Sequence, residues 1–274
     1  MNHALNNSDA SAAAAFTKQS AVFDALYSNN PIIQYKRARV RAHVMQYLQP
    51  GSDILELNSG TGEDAWWFAA NGHHVHATDI SAGMLEQLRK KTTAAGLESR
   101  ITAEQISFTN LTQLQQHKQY DLIFSNFAGL NCTGALDKVM DSFSALLKPG
   151  GFVTLVLLPR FCLWEFLLLF KGKFKTAFRR LFSGRGASAH IEGEYFTCWY
   201  YNPSFVTEHM REEYDLLSAE GLCTIVPPSY MEGFATKHPR LYAFLCRKEA
   251  ALKSRWPWRS VGDYYIISLR KKNC

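Results

Sequence analysis

The stretch ILELNSGTGEDAWWF, Ile54 to Phe68, decides how this chain folds. Its first residues form a short apolar run that is typical of a buried strand. The two glycines that follow predict a tight turn, and the residues after them predict the start of a helix. A glycine-rich turn between a strand and a helix brings a ligand close to the main chain and presents helix N-terminal amides to it. The stretch therefore predicts the binding loop of a nucleotide-like ligand.

The charges on this loop bear on which ligand it holds. Gly60, Gly62 and Ala65 satisfy the pattern G-x-G-x-x-G/A, which dinucleotide enzymes and nucleoside-binding enzymes share. Glu63 and Asp64 stabilise the helix dipole in the first turn, but they would repel a pyrophosphate placed there. A ligand with ribose, adenine and an amino-acid tail, such as S-adenosylmethionine, fits better. Two alternatives stay open, namely that both acids point to water and that the ligand is NAD(P).

The composition describes an ordinary globular chain of 274 residues, 47% hydrophobic and 20% charged, and one large domain with an insertion is expected. The net charge is +6, with much of the excess in Lys171 to Gly186 and in the C-terminal RKKNC, and we interpret these segments as solvated faces. No RNA-stacking signature such as RNP1 occurs, so no nucleic-acid partner is expected. The six cysteines form no C-x-x-C pair, which favours reduced thiols in a cytoplasmic protein.

Strand-like and helix-like segments alternate from Gly51 to about Val156. This alternation at short spacings predicts an α/β fold with a parallel sheet covered on both faces. The pattern breaks at residues 159–202 and then resumes. Strands are predicted at residues 53–57, 73–79, 100–105, 120–127, 152–158, 222–228 and 263–271, and helices at 62–72, 82–96, 135–151, 203–214 and 237–252.

Four ordered motifs resemble those of class I S-adenosylmethionine-dependent methyltransferases. ILELNSGTGEDA resembles the first motif, ATDISAGML the second, YDLIFSNFAGLN the fourth and LLKPGGFVTLV the fifth, over roughly residues 50–157. The resemblance implies a Rossmann-like, doubly wound, seven-stranded and mostly parallel sheet, with DYYIISLRK as an antiparallel last strand. It also implies S-adenosyl-L-methionine as the cofactor, S-adenosylhomocysteine as the product and a small-molecule methyl acceptor.

The resemblance assigns the cofactor contacts by position. The acid at the end of the first strand and the turn after it would hold the methionine moiety, and the acid that ends the second strand would hold the ribose hydroxyls. The next residue packs on the adenine, and the end of the fourth strand borders the sulfonium. Ser107 stands where the family often has an acid for the adenine amino group, so this contact is open. The implied cofactor residues are Glu56, Asn58, Ser59, Gly60, Gly62, Asp79, Ile80, Met84, Ile106, Ser107, Asn126 and Phe127.

Asn58 departs from the pattern, because glycine is usual at this position. Asparagine tolerates a left-handed backbone better than other non-glycine residues. We therefore expect a left-handed or otherwise unusual backbone at Asn58 and intact cofactor binding.

The acceptor is expected to contact the N-terminal helices and the segment 159–202, interpreted as a cap. FCLWEFLLLF and EYFTCWYYNPS could line a cavity for a lipophilic or aromatic molecule, or else cover the sheet or form a dimer contact. The sequence assigns no catalytic residue. It predicts no metal site at His73, His74 and His76, because no carboxylate or cysteine lies nearby in the sequence. Candidate polar groups for the acceptor are Arg160, His190, Tyr195, Tyr200 and Tyr201.

The expected domain plan is a disordered tail at residues 1–15 and one methyltransferase domain at 16–274. The domain would comprise N-terminal helices at 16–48, a core at about 50–157 and 203–274, and the cap. The apolar run Phe161–Phe170 is too short to span a bilayer, but with the basic residues after it a membrane-surface role is a less favoured alternative.

The expected activity is methylation of a small, lipophilic or aromatic molecule, with O-methylation slightly preferred over C- or N-methylation. The alternatives are a regulatory, non-enzymatic S-adenosylmethionine-binding protein and an NAD(P)-dependent oxidoreductase. The choice between a monomer and a homodimer is open.

Overall fold

The computed structural model describes residues 7–191, 193–231 and 233–273. Its strands form one large sheet and a separate hairpin. The strands are β1 (Asp53–Leu57), β2 (His74–Asp79), β3 (Ile101–Gln105), β4 (Tyr120–Ser125), β5 (Leu147–Leu157), β6 (Ala187–Ile191), β7 (Glu194–Cys198), β8 (Tyr214–Leu222) and β9 (Tyr264–Lys271).

The large sheet has seven strands in the order β3-β2-β1-β4-β5-β9-β8. Strands β1 to β5 are parallel, and β9 runs antiparallel to both β5 and β8. Strands β2 and β3 lie on one side of β1, and β4 and the later strands lie on its other side. The strand order therefore reverses between β1 and β4, and their carboxyl ends form a topological switch point. The predicted fold, a doubly wound, mostly parallel sheet with an antiparallel last strand, is confirmed.

Helices cover both faces of this sheet, because successive β1 side chains point to opposite sides. Ile54 packs in a core cluster with Phe68, and Leu55 packs in a second cluster with Phe143. The α-helices are α1 (Asn7–Tyr27), α2 (Pro31–Val44), α3 (Glu63–Ala70), α4 (Ala82–Ala94), α5 (Leu136–Asp141), α6 (Phe143–Leu146), α7 (Leu163–Phe166), α8 (Phe174–Phe178), α9 (Pro203–Met210), α10 (Phe234–Lys237) and α11 (Pro239–Leu252).

Two predicted segments differ from the structure. The strand predicted at residues 222–228 is wrong, since the strand of this region is β8 at Tyr214–Leu222. Strand β8 lies at the sheet edge, where polar residues are tolerated, so its sequence lacks the apolar pattern that predicts a buried strand. The amides of residues 223–226 instead donate to the buried Glu249 carboxylate. The helix predicted at residues 135–151 is shorter, because β5 begins at Leu147.

The disordered tail predicted for residues 1–15 is wrong over its described part. Residues 7–15 belong to α1, and Ala12 and Ala15 are buried. Residues 1–6 lie outside the described residues. Helix α1 is tied to the rest of the molecule, since Thr17 Oγ1 lies 2.8 Å from Ser81 Oγ and Lys18 pairs with Glu194 of β7.

The segment predicted as a cap contains α7, α8 and the hairpin of β6 and β7. The hairpin lies against α1, with the rings of Phe16 and Phe196 5.9 Å apart. Phe170, Phe174 and Phe182 of the preceding part are exposed. Among the described residues, the structure has no helix with the length and apolar character needed to cross a membrane.

Candidate cofactor and acceptor site

A cavity of about 430 Å³ lies at the carboxyl ends of the parallel strands. Ligands of doubly wound sheets bind at this edge, beside the switch point. Helices α1 and α2 and the hairpin form its other walls. Eleven of the twelve sequence-predicted cofactor residues line it: Glu56, Asn58, Ser59, Gly60, Asp79, Ile80, Met84, Ile106, Ser107, Asn126 and Phe127.

The turn after β1 is fixed to β4 through Asn58. Its φ of 47° confirms the left-handed backbone expected for this residue. The Asn58 Nδ2 donates to the Asn126 carbonyl at 2.9 Å, and Ser125 Oγ donates to Asn58 Oδ1 at 2.6 Å. A Cβ on Gly129 would lie 2.2 Å from Asn58 Cγ, so the two loops need a glycine where they touch. Asparagine thus gives the turn two hydrogen bonds that glycine could not make.

The two turn glycines have different tasks. Gly60 has a φ of 56°, and its amide donates to Asp79 Oδ2 at 2.9 Å. Gly62 is outside the cavity lining, unlike the other predicted cofactor residues. A Cβ on Gly62 would lie 2.6 Å from Leu88 Cγ, so this glycine lets α3 pack closely on α4.

Glu56 is a buried acid at the end of β1, and it faces the cavity. Its Oε2 is buried and has no hydrogen-bond partner within the described residues, and the same holds for Ser59 Oγ. Burial and the neighbouring Asp64 carboxylate raise the pKa of Glu56 well above its usual range, while Arg37 and Arg41 oppose this shift. A buried acceptor without a donor is costly, so the site fits a ligand that brings a cationic donor.

Asp64 is neither a free charge facing the ligand nor a residue pointing to water. It is buried, and its carboxylate lies 3.0 Å from Arg37 Nη1 and 2.8 Å from Arg41 Nη2. Asn126 Nδ2 donates to Asp64 Oδ2 at 2.8 Å. The alternative that Asp64 points to water is therefore wrong, because α2 supplies two arginines to this acid. Its neighbour Glu63 pairs with Lys91 at 3.1 Å.

Asp79 ends β2 and holds the turn of β1 from the other side. Its Oδ2 accepts from the Gly60 amide, and its Oδ1 accepts from the Ser81 amide at 2.8 Å. Burial raises the pKa of Asp79, and hydrogen bonds from the amides of Ser81, Gly60 and Ile80 oppose the rise. A fixed carboxylate at the cavity wall suits a pair of ribose hydroxyls, which need acceptors.

The next part of the wall is mostly apolar. Ile80, Met84, Ile106 and Phe108 line it beside Ser107. The Ser107 Oγ accepts from the Thr109 amide at 3.2 Å, which caps the short 3₁₀ helix Phe108–Gln113. Apolar side chains beside one small hydroxyl suit the face and edge of an adenine ring.

The chain after β4 has an unusual backbone at the cavity. Phe127 and Ala128 have φ values of 50° and 62°, which non-glycine residues rarely adopt. The Phe127 ring lies 4.8 Å from Arg37 Cζ and 5.4 Å from Lys36 Nζ. Two adjacent cations of α2 thus lie against this ring. Strained backbone such as that of Phe127 and Ala128 is concentrated at functional sites.

Of the five polar groups predicted for the acceptor, Tyr200 lines the cavity and the other four are outside its lining. Tyr201 is buried and donates to the Thr133 carbonyl at 2.6 Å. The rings of His190 and Tyr195 stack on each other in the hairpin at 4.6 Å, and Tyr195 is 68% exposed. The backbone amide of Arg160 donates to Asn202 Oδ1 at 3.0 Å. The structure thus brings Tyr200 to the cavity and places these four residues outside its lining.

The structure adds residues that the sequence did not single out. Several belong to α1 and α2, where no motif marks them. Gln19 is among them, with its Oε1 buried and without a hydrogen-bond partner in the described part of the chain. The added lining residues include Phe16, Gln19, Phe23, Tyr27, Lys36, Arg37, Arg179, Phe196, Cys198, Ser229 and Tyr264.

In two clusters of possible metal ligands, some of the side chains pair with other groups of the protein. His76 Nε2 lies 3.0 Å from Glu104, and its Nδ1 lies 2.6 Å from the Tyr120 hydroxyl, so it packs within the sheet. Cys162, Glu165 and Asp263 lie close together, but Arg180 Nη2 pairs with the two acids at 2.8 Å and 2.7 Å. The guanidinium already supplies the positive charge that this second cluster requires.

Residues 54–151 match the family model described as "Methyltransferase domain". Together with the motif order, the fold and the cavity, this match decides the family of the domain. The chain contains a class I S-adenosylmethionine-dependent methyltransferase domain.

Two curated relatives match the methyltransferase domain over part of their length. A demethylmenaquinone methyltransferase of Clavibacter sepedonicus is 36% identical over 101 residues, 37% of this chain and 39% of that protein. The polyketide synthase component of the lovastatin nonaketide synthase of Aspergillus terreus is 33% identical over 130 residues, 45% of this chain and 4% of that protein. The chain therefore spans a minor part of these relatives.

The methyltransferase fold extends over nearly the whole chain. The Burkholderia thailandensis 1,6-didemethyltoxoflavin-N1-methyltransferase, solved with 1,6-didemethyltoxoflavin and S-adenosylhomocysteine, superimposes with a TM-score of 0.56 at 13% identity. The superposition covers 99% of this chain and 93% of that one. At this identity the likeness concerns the fold alone.

Proposed function

We propose that this protein transfers the methyl group of S-adenosyl-L-methionine to a small, lipophilic or aromatic molecule. The observation that carries the proposal is the buried Glu56 Oε2, which faces the cavity without a donor and lies at the end of β1. The ammonium of the methionine moiety is a donor of the right charge for it. Asp79 would hold the ribose, and the apolar wall from Ile80 to Phe108 would hold the adenine.

The other proposed cofactor contacts follow from the same cavity wall. Ser59 and the Gly60 region would face the methionine moiety, and Arg37 is placed to approach its carboxylate from α2. Asn126 and Phe127 would border the sulfonium. When bound, the cofactor supplies an electrophilic methyl group, so an acceptor lone pair can form the new bond while the electrons of the carbon–sulfur bond stay on sulfur.

The protein's own part in this reaction is alignment and exclusion of water. Helix α1 covers the cavity and is held by Thr61 Oγ1, which donates to Asp24 Oδ1 at 2.6 Å. The rings of Phe16, Phe23, Phe196 and Tyr264 line the part beyond Phe127, and they support an apolar or aromatic acceptor. Two of the similar proteins support this class by name, the demethylmenaquinone methyltransferase and the enzyme solved with 1,6-didemethyltoxoflavin, whereas another is a dimethylglycine N-methyltransferase.

O-methylation remains the preferred reaction in this proposal over C- or N-methylation. Among the described residues, the cavity lining includes no histidine. The acids that line it are Glu56, Glu63, Asp64 and Asp79, which face the cofactor end or pair with cations. An acceptor that ionises readily therefore suits the site, because no base stands beside the apolar part.

Incubation with methyl-labelled S-adenosylmethionine and a fractionated native extract tests the activity. We expect one or more small molecules that gain a single labelled methyl group. The control is the Asp79→Ala variant, which should lose cofactor binding and product together. Cofactor binding without any labelled product across all fractions would instead support a regulatory, non-enzymatic protein.

A further inference from the structure

Lys36 differs from the other cations of α2. It is 2% exposed, so its ammonium group is removed from water. Arg37 pairs with Asp64 at 3.0 Å, and Arg39 pairs with Glu220 at 3.0 Å. Within the described residues, Lys36 Nζ has no carboxylate at ion-pair distance, and its hydrogen-bond partner is the neutral Ser229 Oγ at 3.1 Å. An ammonium group has three donors, so two further hydrogen bonds would be needed to replace the water it has lost.

The surroundings of Lys36 compensate its charge only in part. Its Nζ lies 4.5 Å from the centroid of the Tyr264 ring and 5.4 Å from that of Phe127. Contacts of a cation with aromatic faces are favourable but weaker than a buried ion pair. A buried ammonium without a counter-charge is costly, and side chains of this kind persist where function requires them.

Lys36 faces the acceptor part of the cavity. The proposed cofactor contacts lie at the ends of β1, β2, β3 and β4, whereas Tyr264 begins β9 and Ser229 follows β8. The Phe127 ring contacts both cations, with Arg37 Cζ at 4.8 Å and Lys36 Nζ at 5.4 Å from its centroid, and only Lys36 also contacts Tyr264 and Ser229. A ligand that extends past Phe127 would meet the ammonium of Lys36 and the hydroxyl of Ser229.

The loop that carries Ser229 is held rigidly. The buried Glu249 carboxylate accepts hydrogen bonds from the amides of Cys223, Thr224, Ile225 and Val226 at 2.8 to 3.0 Å. Asn30 Nδ2 also donates to the Ser229 carbonyl at 3.2 Å. The hydroxyl and the ammonium are thus placed together by two separately anchored elements, and a preorganised pair of donors favours an oxygen anion.

We propose that the acceptor binds as an anion, with a negatively charged oxygen on Lys36 Nζ and Ser229 Oγ. This inference rests on the proposed function and names the substrate class as an acidic hydroxyl or a carboxylate on an apolar or aromatic body. Lys36 then takes the place of a general base. It stabilises the ionised acceptor, so the proton leaves to water when the acceptor binds and no residue has to remove it.

The first test compares the stability of two variants in the same helix. Lys36→Met should unfold at the same or a higher temperature than the wild type, since it removes an unpaired buried charge. Arg39→Met is the matched control and should unfold at a lower temperature, because it leaves Glu220 and Glu249 with one cation fewer. A fall in melting temperature for Lys36→Met as large as that for Arg39→Met would assign Lys36 a structural role and overturn the proposal.

The second test measures binding of matched probes to protein saturated with S-adenosylhomocysteine. One pair is hydroxynaphthoquinone, ionised at neutral pH, and unsubstituted naphthoquinone; the other is naphthoate and its methyl ester. We expect the anion of at least one pair to bind about tenfold or more tightly than its neutral partner. Lys36→Met should abolish this preference, Lys36→Arg should keep part of it, and the exposed Lys138→Met should leave it unchanged.

The outcomes separate the two proposals. A preference within the first pair identifies an acidic hydroxyl, and one within the second pair identifies a carboxylate. If neither pair shows a preference that depends on Lys36, while S-adenosylhomocysteine still binds, this inference is wrong and the proposed function stands. If the wild type fails to bind S-adenosylhomocysteine, the proposed function itself is wrong.

Discussion

Arg37 and Asp64 form a buried ion pair, with 3.0 Å between Nη1 and Oδ2, that joins α2 to the helix after the glycine turn. Arg41 and Asn126 bind the same carboxylate. The cluster therefore fixes the cofactor turn, the chain after β4 and an N-terminal helix relative to one another.

Replacing Asp64 should destabilise the protein strongly. Asp64→Asn leaves two largely buried guanidinium groups without their shared carboxylate, so we expect the free energy of unfolding to fall by about 3 kcal/mol. Urea denaturation measures this change. Glu63→Gln is the matched control, because Glu63 is only half-buried and its ion pair with Lys91 should contribute at most about 1 kcal/mol. Equal effects of the two substitutions would contradict the role given to Asp64.

Asn58 allows a test of backbone conformation. Valine at this position would have to adopt a φ near 47° and would lose the hydrogen bonds with Ser125 and Asn126, so Asn58→Val should cost about 2 to 4 kcal/mol and weaken cofactor binding. Asn58→Gly loses the same hydrogen bonds without the strain and should cost about 1 kcal/mol less. Thermal unfolding and titration with S-adenosylhomocysteine measure both effects. Wild-type affinity in Asn58→Val would contradict this account of the turn.

Helix α1 should be required for cofactor binding as well as for covering the acceptor. Ala15 is fully buried, and Ala14 beside it is exposed. Ala15→Glu would bury an unpaired charge and should release α1, with faster amide exchange in residues 7–27 and about tenfold weaker cofactor binding. Ala14→Glu should change neither property. If Ala15→Glu speeds exchange in α1 but leaves affinity unchanged, α1 does not support the cofactor turn.

Glu56 should make cofactor affinity depend on pH. Burial and Asp64 raise the pKa of Glu56, and its ionised form is the one that attracts an ammonium group. Affinity should therefore fall as the pH is lowered through this raised pKa, starting above the value of about 4.3 for an ordinary glutamate. For the free protein the sign is opposite. The folded state holds the proton more tightly, so the contribution of Glu56 to stability is highest at low pH and declines as the pH rises towards its folded pKa. Glu56→Gln should remove both dependences, and their persistence would assign them to another group.

Much of the core could be predicted from local patterns. The strand–turn–helix of Ile54 to Phe68 and the acid at Asp79 have strong local signals. The left-handed backbone at Asn58 followed from the glycine that is usual at this position and from the residue type. These features depend on neighbours in the sequence, and this is why a single sequence reveals them.

The acceptor side depends on contacts between distant segments and could not be predicted in the same way. Lys36 bonds Ser229, which lies 193 positions away in the sequence. Glu249 accepts hydrogen bonds from the amides of residues 223–226, a segment whose apolar residues are typical of a strand. Tyr195 and Tyr201 are plausible acceptor contacts by residue type, but Tyr195 of β7 is exposed, and Tyr201, which follows that strand, is buried in the core. The membrane-surface role of the segment around Phe170 stays a prediction, which sedimentation with anionic liposomes would test.

The most direct test of the central claim is a calorimetric titration of the wild type and Glu56→Gln with three ligands. S-adenosylmethionine and methylthioadenosine share the nucleoside, but methylthioadenosine lacks the amino-acid tail, and NAD carries a pyrophosphate instead. We expect the wild type to bind S-adenosylmethionine in the micromolar range and NAD not measurably. Glu56→Gln should lose about tenfold or more in affinity for S-adenosylmethionine and keep its affinity for methylthioadenosine. Micromolar binding of NAD without binding of S-adenosylmethionine would contradict the account.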